Sequence, residues 1–415
     1  MSSEWPVLPL EDCLDALIDY RGKTPEKTSS GIPLITAKVI KNGRIEKPSE
    51  FIAIDDYDLW MRRGIPKMGD VVMTTEAPLG EVAQLSGEKI ALAQRVITLR
   101  GKSGLLNSSY LLYLLQTSEM QEQLKSRATG TTVLGIKQSE LRKVTLKIPP
   151  LSLQKDAASI LSVLDKKIDL LRETNTTLEA IAQTLFKSWF VDFDPVKAKA
   201  QGKQPEGMDE ATAAFFPSEF EESALGLIPK GWRVGTLGEE VKIAYGKNLP
   251  TTNLLISGFP VFGGNGQIGF FDKYLYDERQ VLISCRGAAS GKVNQSLPKS
   301  FITNNSLILE TGKGKYIPFG YLKWLMKNSD LSGFVTGSAQ PQVTIDNIKG
   351  FKVLVPDMYL LGLYESVSSS LEDRIEENQK QSQTLTTLRD TLLPRLISGQ
   401  LRINQAQDLI NEVGA

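Results

Sequence analysis

The sequence predicts an α+β protein: two tandem α+β units separated by two long antiparallel coiled-coil helices, arranged as an internal pseudo-twofold repeat. Three observations carry that expectation. The chain repeats itself once, each copy contains a long apolar stripe at helical spacing, and short apolar runs punctuated by Gly, Pro and Asn precede each stripe.

Thr129-Gly130 recurs as Thr336-Gly337, an offset of 336 − 129 = 207 that then holds for about sixty-five residues. Under it Ile136 meets Val343, Ile148-Pro149 meets Val355-Pro356, Leu164 meets Leu371 and Ile168 meets Ile375. Upstream the offset is 227, where Trp5-Pro-Val7 resembles Trp232-Arg-Val234. The first copy is therefore longer by about twenty residues in its middle.

Residues 1–148 form the first unit, with strands predicted around Asp70-Val-Val-Met-Thr74 and Val96-Ile-Thr-Leu99 and a helix in Ser108–Leu115. A spacer helix follows over 149–193, its seam made by Leu161, Leu164, Ile168, Leu171, Leu178 and Leu185, with Asn175 and Ala182 in the remaining positions. Residues 194–227, rich in Pro, Gly and Lys, read as a linker. The second unit covers 228–355, with strands around Val281–Ser284 and Ser306–Leu309. Its spacer helix covers 356–403 with Leu371, Ile375, Asn378, Leu385, Leu388 and Leu392 on the seam, Pro394 and Gly399 ending or kinking it, and 404–415 as a tail. About forty helical residues span roughly 60 Å, too long for one globular core, so the two helices are expected to pair, with Asn175 and Asn378 fixing register.

The 415 residues allow two to three domains at about 150 each. Lys+Arg and Asp+Glu are both 48, and the chain is 41% hydrophobic, the composition of an ordinary soluble protein. There is no histidine, which removes imidazole bases, His-ligated zinc and Ser-His-Asp or Cys-His triads. Cys13 and Cys285 are too few for a thiolate metal site or a disulfide framework and read as buried reduced thiols of a cytoplasmic protein. No apolar run approaches the roughly 20 residues needed to span a bilayer.

Gly264-Asn-Gly266-Gln-Ile-Gly269 matches a dinucleotide fingerprint as a string, but it runs into Phe270-Phe271-Asp272 where an amphipathic helix is required. A Gly/Asn-rich surface loop is the better account. Gly287-Ala-Ala-Ser-Gly-Lys292 has the wrong spacing for a P-loop, and no catalytic constellation of carboxylates appears.

What remains is a polar and basic loop inventory suited to DNA, since Arg and Lys reach phosphates and guanine edges while Asn and Gln pair with adenine. In the first unit it comprises Arg21, Lys23, Thr24, Thr74, Thr75, Gln94, Arg95, Thr131, Thr132 and Lys137. In the second it comprises Lys247, Asn248, Asn265, Arg286, Asn304, Asn305, Ser338, Gln340 and Gln342. Any one of these taken singly is ordinary for a solvated loop. The zero net charge requires acidic surface elsewhere, for which Glu372-Asp373 and Glu376-Glu377 are the candidates.

Ile148-Pro-Pro-Leu-Ser-Leu-Gln154, Ile160-Leu-Ser-Val-Leu-Asp-Lys-Lys-Ile168 and Leu178-Glu-Ala-Ile-Ala-Gln-Thr-Leu-Phe-Lys-Ser-Trp-Phe-Val-Asp-Phe193 resemble the central region of type I restriction-modification specificity subunits. Leu392-Leu-Pro-Arg-Leu-Ile-Ser-Gly-Gln-Leu401 resembles their C-terminal region, and Phe262–Gly269 a recurrent loop of their recognition domains. The resemblance implies two target recognition domains reading the halves of an asymmetric bipartite site on double-stranded DNA, and no catalysis in this chain. It also implies docking of two methyltransferase subunits and of motor-nuclease subunits, partners that carry S-adenosylmethionine, ATP and magnesium. Gln154 and the seam residues named above are the expected spacer and docking residues. The second copy departs at Val355-Pro-Asp-Met-Tyr-Leu-Leu361, losing the second Pro and the Gln, which leaves open whether both helices dock equivalently. The alternatives are a coiled-coil adaptor without sequence-specific DNA binding and a stand-alone enzyme with its site in the loops.

Overall fold

The computed structural model describes residues 5–20, 24–87, 89–311 and 317–412. One unit is formed by Met1–Arg172 with Gln379–Ala415, the other by Glu173–Asn378. The division cuts both forty-residue helices, Leu151–Phe190 and Met358–Ile397, so each unit contains one α+β module and part of each long helix.

In the first unit a four-stranded antiparallel sheet runs Leu14–Asp19, Val96–Gly101, Val71–Thr75, Leu79–Gln84. Side chains alternate across it. Val71, Met73, Ile97 and Leu99 join the core shared with the helix Ser108–Gln116 and the long helices, whereas Val72, Ala83 and Val96 join a second core with Leu34, Ile35, Ala91 and Leu92. Both faces are covered, which is why the central strands read as continuous apolar runs. The outer layer includes a parallel pairing of Ile32–Ile35 with Ala91–Leu92.

The second unit repeats this order with Lys242–Tyr245, Ser306–Glu310, Val281–Ser284 and Val293–Gln295. Val281, Ile283, Leu307 and Leu309 face one core, and Leu282 and Ile308 face the other with Phe262 and Ile302. Phe259–Gly263 pairs in parallel with Phe301–Ile302. The duplication extends to register: Val7 opposite Lys147 recurs as Val234 opposite Leu354, and Ile97 opposite Met73 recurs as Leu307 opposite Ile283.

Leu161, Leu164, Ile168 and Leu171 are buried in the first unit's core with Leu385 and Leu392. In the second unit Leu185 and Leu371 pack against the core, Ile375 is buried, and Leu178 is half-buried. There Asn378 Nδ2 donates to Asn175 Oδ1 at 2.8 Å, Asn175 Nδ2 donates to the Ile375 carbonyl at 3.2 Å, and Tyr364 OH donates to the Ala182 carbonyl at 3.1 Å. Advancing along one helix retreats along the other, so the segments are antiparallel. The seam asparagines are joined by a hydrogen bond that fixes the pairing of the two helices, while Asn378 Oδ1 is buried without a hydrogen-bond partner among the described residues, a cost in stability that a polar seam position carries.

Each module is fastened to its long helix at positions 207 apart (372 − 165). Asp165 accepts from Tyr113 OH at 2.8 Å and pairs with Arg389 at 2.8 Å, while Glu372 pairs with Lys323 and accepts from Gln295 Nε2 at 3.0 Å. Beside the second of these, burial pushes the Glu365 carboxyl up to about 7 as it accepts the Gly320 N–H.

Within 194–227, expected as a linker, the chain forms the helices Asp194–Ala200 and Glu210–Ala214 and the strand Phe220–Ser223, which pairs with Gly226–Pro229. Val196 and Phe216 are buried in the second unit's core. The second long helix continues through Pro394 to Ile397 before Gly399 turns the chain at positive φ. The tail contains most of a further helix, Ile403–Glu412, whose Ala406 and Ile410 join the first core.

Candidate nucleic-acid interface

The polar loops emerge from one end of each sheet, where backbone hydrogen bonds hold them together. In the first unit Thr75 N–H donates to the Arg95 carbonyl at 3.0 Å, and Ile136 N–H donates to the Thr75 carbonyl at 3.0 Å. The loop from Thr129 to Gly135 is closed by reciprocal bonds of 2.8 and 2.9 Å, leaving Thr131 and Thr132 exposed at its tip. Gly130 sits at φ +117 with Val133 O only 2.1 Å from where a Cβ would be, so the turn requires glycine. A recess lined by Thr75, Glu76, Gln94, Arg95 and Lys137 lies between these loops, and Thr24 lines a neighbouring recess that shares Gln94 and Arg95.

The second unit rebuilds the framework. Thr336 and Gln342 exchange two bonds of 2.8 Å, and Gly337 again has positive φ. Arg286 bridges Gln342, Asn304 N–H donates to the Lys247 carbonyl at 3.1 Å, and Cys285 N–H donates to the Asn305 carbonyl at 3.0 Å. Lys247, Asn248, Asn265, Arg286, Asn305, Ser338, Gln340 and Gln342 are exposed, and Asn304 is half-buried. Gly264–Gly269 proves to be a hairpin joining Phe259–Gly263 to Gly266–Phe271, with Asn265 at the tip and no helix after it.

Two expectations require correction. Thr74 and Thr75 are buried: the Thr74 hydroxyl accepts the Glu81 N–H at 3.0 Å and that of Thr75 donates to the Arg95 carbonyl, so both hydroxyls hold the loops, although Thr75 still contributes to the wall of the recess. Gln154 is fully buried, accepting the Asn107 N–H at 2.8 Å and donating to the carbonyls of Leu105 and Pro149, so it anchors its own helix and is not a docking residue. At its repeat position stands buried Leu361, and the second module's helix begins after Pro318, which has no N–H to satisfy. The lost Gln thus has a packing explanation. Arg21 and Lys23 lie outside the described residues.

Among the described residues no group of three or more His, Cys, Asp or Glu is placed to hold a metal ion, and no helix is long and apolar enough to cross a membrane. Both cysteines are free and buried, and desolvation pushes their thiols up. Glu76, which belongs to the Thr74-Thr75-Glu76 loop segment but is not among the expected site residues, pairs with Arg95 in the wall of the first recess.

A family model described as the type I restriction modification DNA specificity domain matches residues 2–180 and 229–361, one segment for each copy of the repeat. The chain belongs to the type I restriction-modification specificity family. Recognition of DNA sequence is accordingly its role. The chain is 28% identical over 436 aligned residues to the type I restriction enzyme MjaIX specificity subunit of Methanocaldococcus jannaschii, covering 97% of this chain and 94% of that one. It is 24% identical to the HindI specificity subunit of Haemophilus influenzae, covering 76% and 82% of the two chains. The crystal structure of a type I S subunit from M. genitalium shares the fold at a TM-score of 0.59 and 19% identity, covering 94% of this specificity chain and 96% of that one.

Proposed function

We propose that each α+β unit of this specificity chain reads one half of an asymmetric bipartite site on double-stranded DNA, and that the chain performs no chemistry itself. The observation carrying this reading is a common framework with divergent side chains. The same strand exits and closed loops present Glu76 and Gln94-Arg95 in one unit but Arg286 and Asn304-Asn305 in the other. A shared scaffold holding different donor and acceptor sets is what two half-sites of different sequence require.

Two methyltransferase subunits and motor-nuclease subunits supply S-adenosylmethionine and ATP-driven, magnesium-dependent steps in the cytoplasm. Most seam residues are buried within their units and Leu178, Leu185 and Leu371 are half-buried, so the surface the long helices offer these partners also includes the exposed apolar Val163, Leu170, Ile181 and Val367. The test is reconstitution with the methyltransferase subunits, using labelled S-adenosylmethionine. Methyl transfer is expected only in the assembly and only on duplexes carrying one two-part motif. Transfer by this chain alone, or transfer by the assembly without sequence preference, contradicts the reading.

A further inference from the structure

The structural repeat sets a register between the recognition loops. With Ile97 opposite Met73 and Leu307 opposite Ile283, equivalent residues in this part of the two units lie 210 apart (307 − 97). Glu76 therefore stands where the second unit has Arg286, and Arg95 where it has Asn305. Both frameworks are fixed in the same way, Glu76 by its bridge to Gly135 and Arg286 by its bridge to Gln342. Only the first unit places a carboxylate beside a guanidinium at these positions, with Arg95 Nε 2.8 Å from Glu76 Oε1 and both side chains about half exposed (51% and 44%).

A carboxylate amid loops that meet a polyanion is electrostatically unfavourable unless it has a specific task. A carboxylate held at Nε leaves N–H groups on the terminal Nη pair to donate, and these are the groups that pair bidentately with N7 and O6 of guanine. Holding a long side chain in that pose before binding also removes part of the ordering cost. Resting on the DNA-reading assignment above, we propose that Glu76 and Arg95 form a guanine-reading couple in the first unit, with Arg95 contacting the base and Glu76 positioning it. Adenine is rejected because its N6 amino group, a donor, stands where guanine offers O6. The second unit, with Arg286 and Asn305 at the equivalent places, reads its bases without a buttressed arginine.

The experiment uses the complete assembly with its methyltransferase subunits and measures methylation rates on duplexes altered at each base pair of the wild-type motif. Arg95→Ala and Glu76→Gln are each expected to reduce discrimination at the same single G·C pair, in one half-site only, by roughly ten- to a hundredfold. If Glu76 acted merely as a repulsive charge, Glu76→Gln would strengthen binding to all duplexes alike and leave the discrimination profile intact, which overturns the proposal. Loss of discrimination at different positions in the two variants, or at none, also overturns it. A defined motif methylated by the wild-type assembly in the same assay keeps such a failure distinct from failure of the DNA-reading assignment.

Discussion

Replacing Lys323 by Met while Glu372 remains is expected to destabilise the second unit by about 3–5 kcal/mol. Lys323 and Glu372 are 1% and 2% exposed and form an ion pair between the module's helix Phe319–Lys327 and the second long helix. Removing the cation strands a carboxylate in the interior with Gln295 Nε2 as its remaining polar partner across that contact. The paired variant, Lys323→Met with Glu372→Gln, removes both charges and retains an acceptor for Gln295. It should recover to within about 2 kcal/mol of the wild type, because the desolvation cost of the two ions disappears with their attraction. Urea unfolding of the full chain, followed by fluorescence of the buried Trp189, Trp232 and Trp324, measures the difference. A single variant as stable as the wild type, or a double variant no better than the single, contradicts the account.

Truncating Phe190 to Ala should cost a similar amount, about 3–5 kcal/mol, through a cavity at the meeting point of three elements. Its ring, from the first long helix, lies 4.9 Å from Tyr321 of the module and 5.2 Å from Tyr364 of the second long helix, edge-on to both, and 5.9 Å from Trp232. Exposed Phe215, stacked on exposed Tyr359, is the control, and its loss should cost under about 1 kcal/mol in the same urea experiment. Equal losses at the two positions would show that this cluster is not the second unit's anchor. Phe186, Trp189 and Phe190 belong to the Leu178–Phe193 segment that carries the family resemblance, and all three are buried in the second core.

The duplicated framework was legible because a repeat keeps its strand order, turn residues and apolar phase together, and each can be checked against the other copy. Asn175 and Asn378 were legible for the same reason, as the polar positions of an otherwise apolar seam. Buried polar pairs were not. Glu372-Asp373 and Glu376-Glu377 read as a solvated acidic face, and Asp373 and Glu377 are indeed exposed, yet Glu372 is buried on Lys323 and Glu376 is largely buried on Arg279. Those partners lie many tens of residues upstream, beyond the reach of periodicity. The structural work of Thr74, Thr75 and Gln154 was not legible because a hydroxyl or amide that satisfies backbone groups has the same sequence signature as one that meets DNA or a docking partner. Glu76 stood in the loop segment with Thr74 and Thr75 but outside the expected site set, because a carboxylate is not an expected member of a DNA-binding set, although its alignment with Arg286 across the repeat was a usable signal.

The central claim, that each unit reads its own half-site, is tested most directly by exchanging residues 1–148 for the corresponding segment of a relative with a different methylation motif and sequencing the modified genome. One half of the bipartite motif should change to that of the donor while the other half stays as it was. A change in both halves, or in neither, would contradict the account.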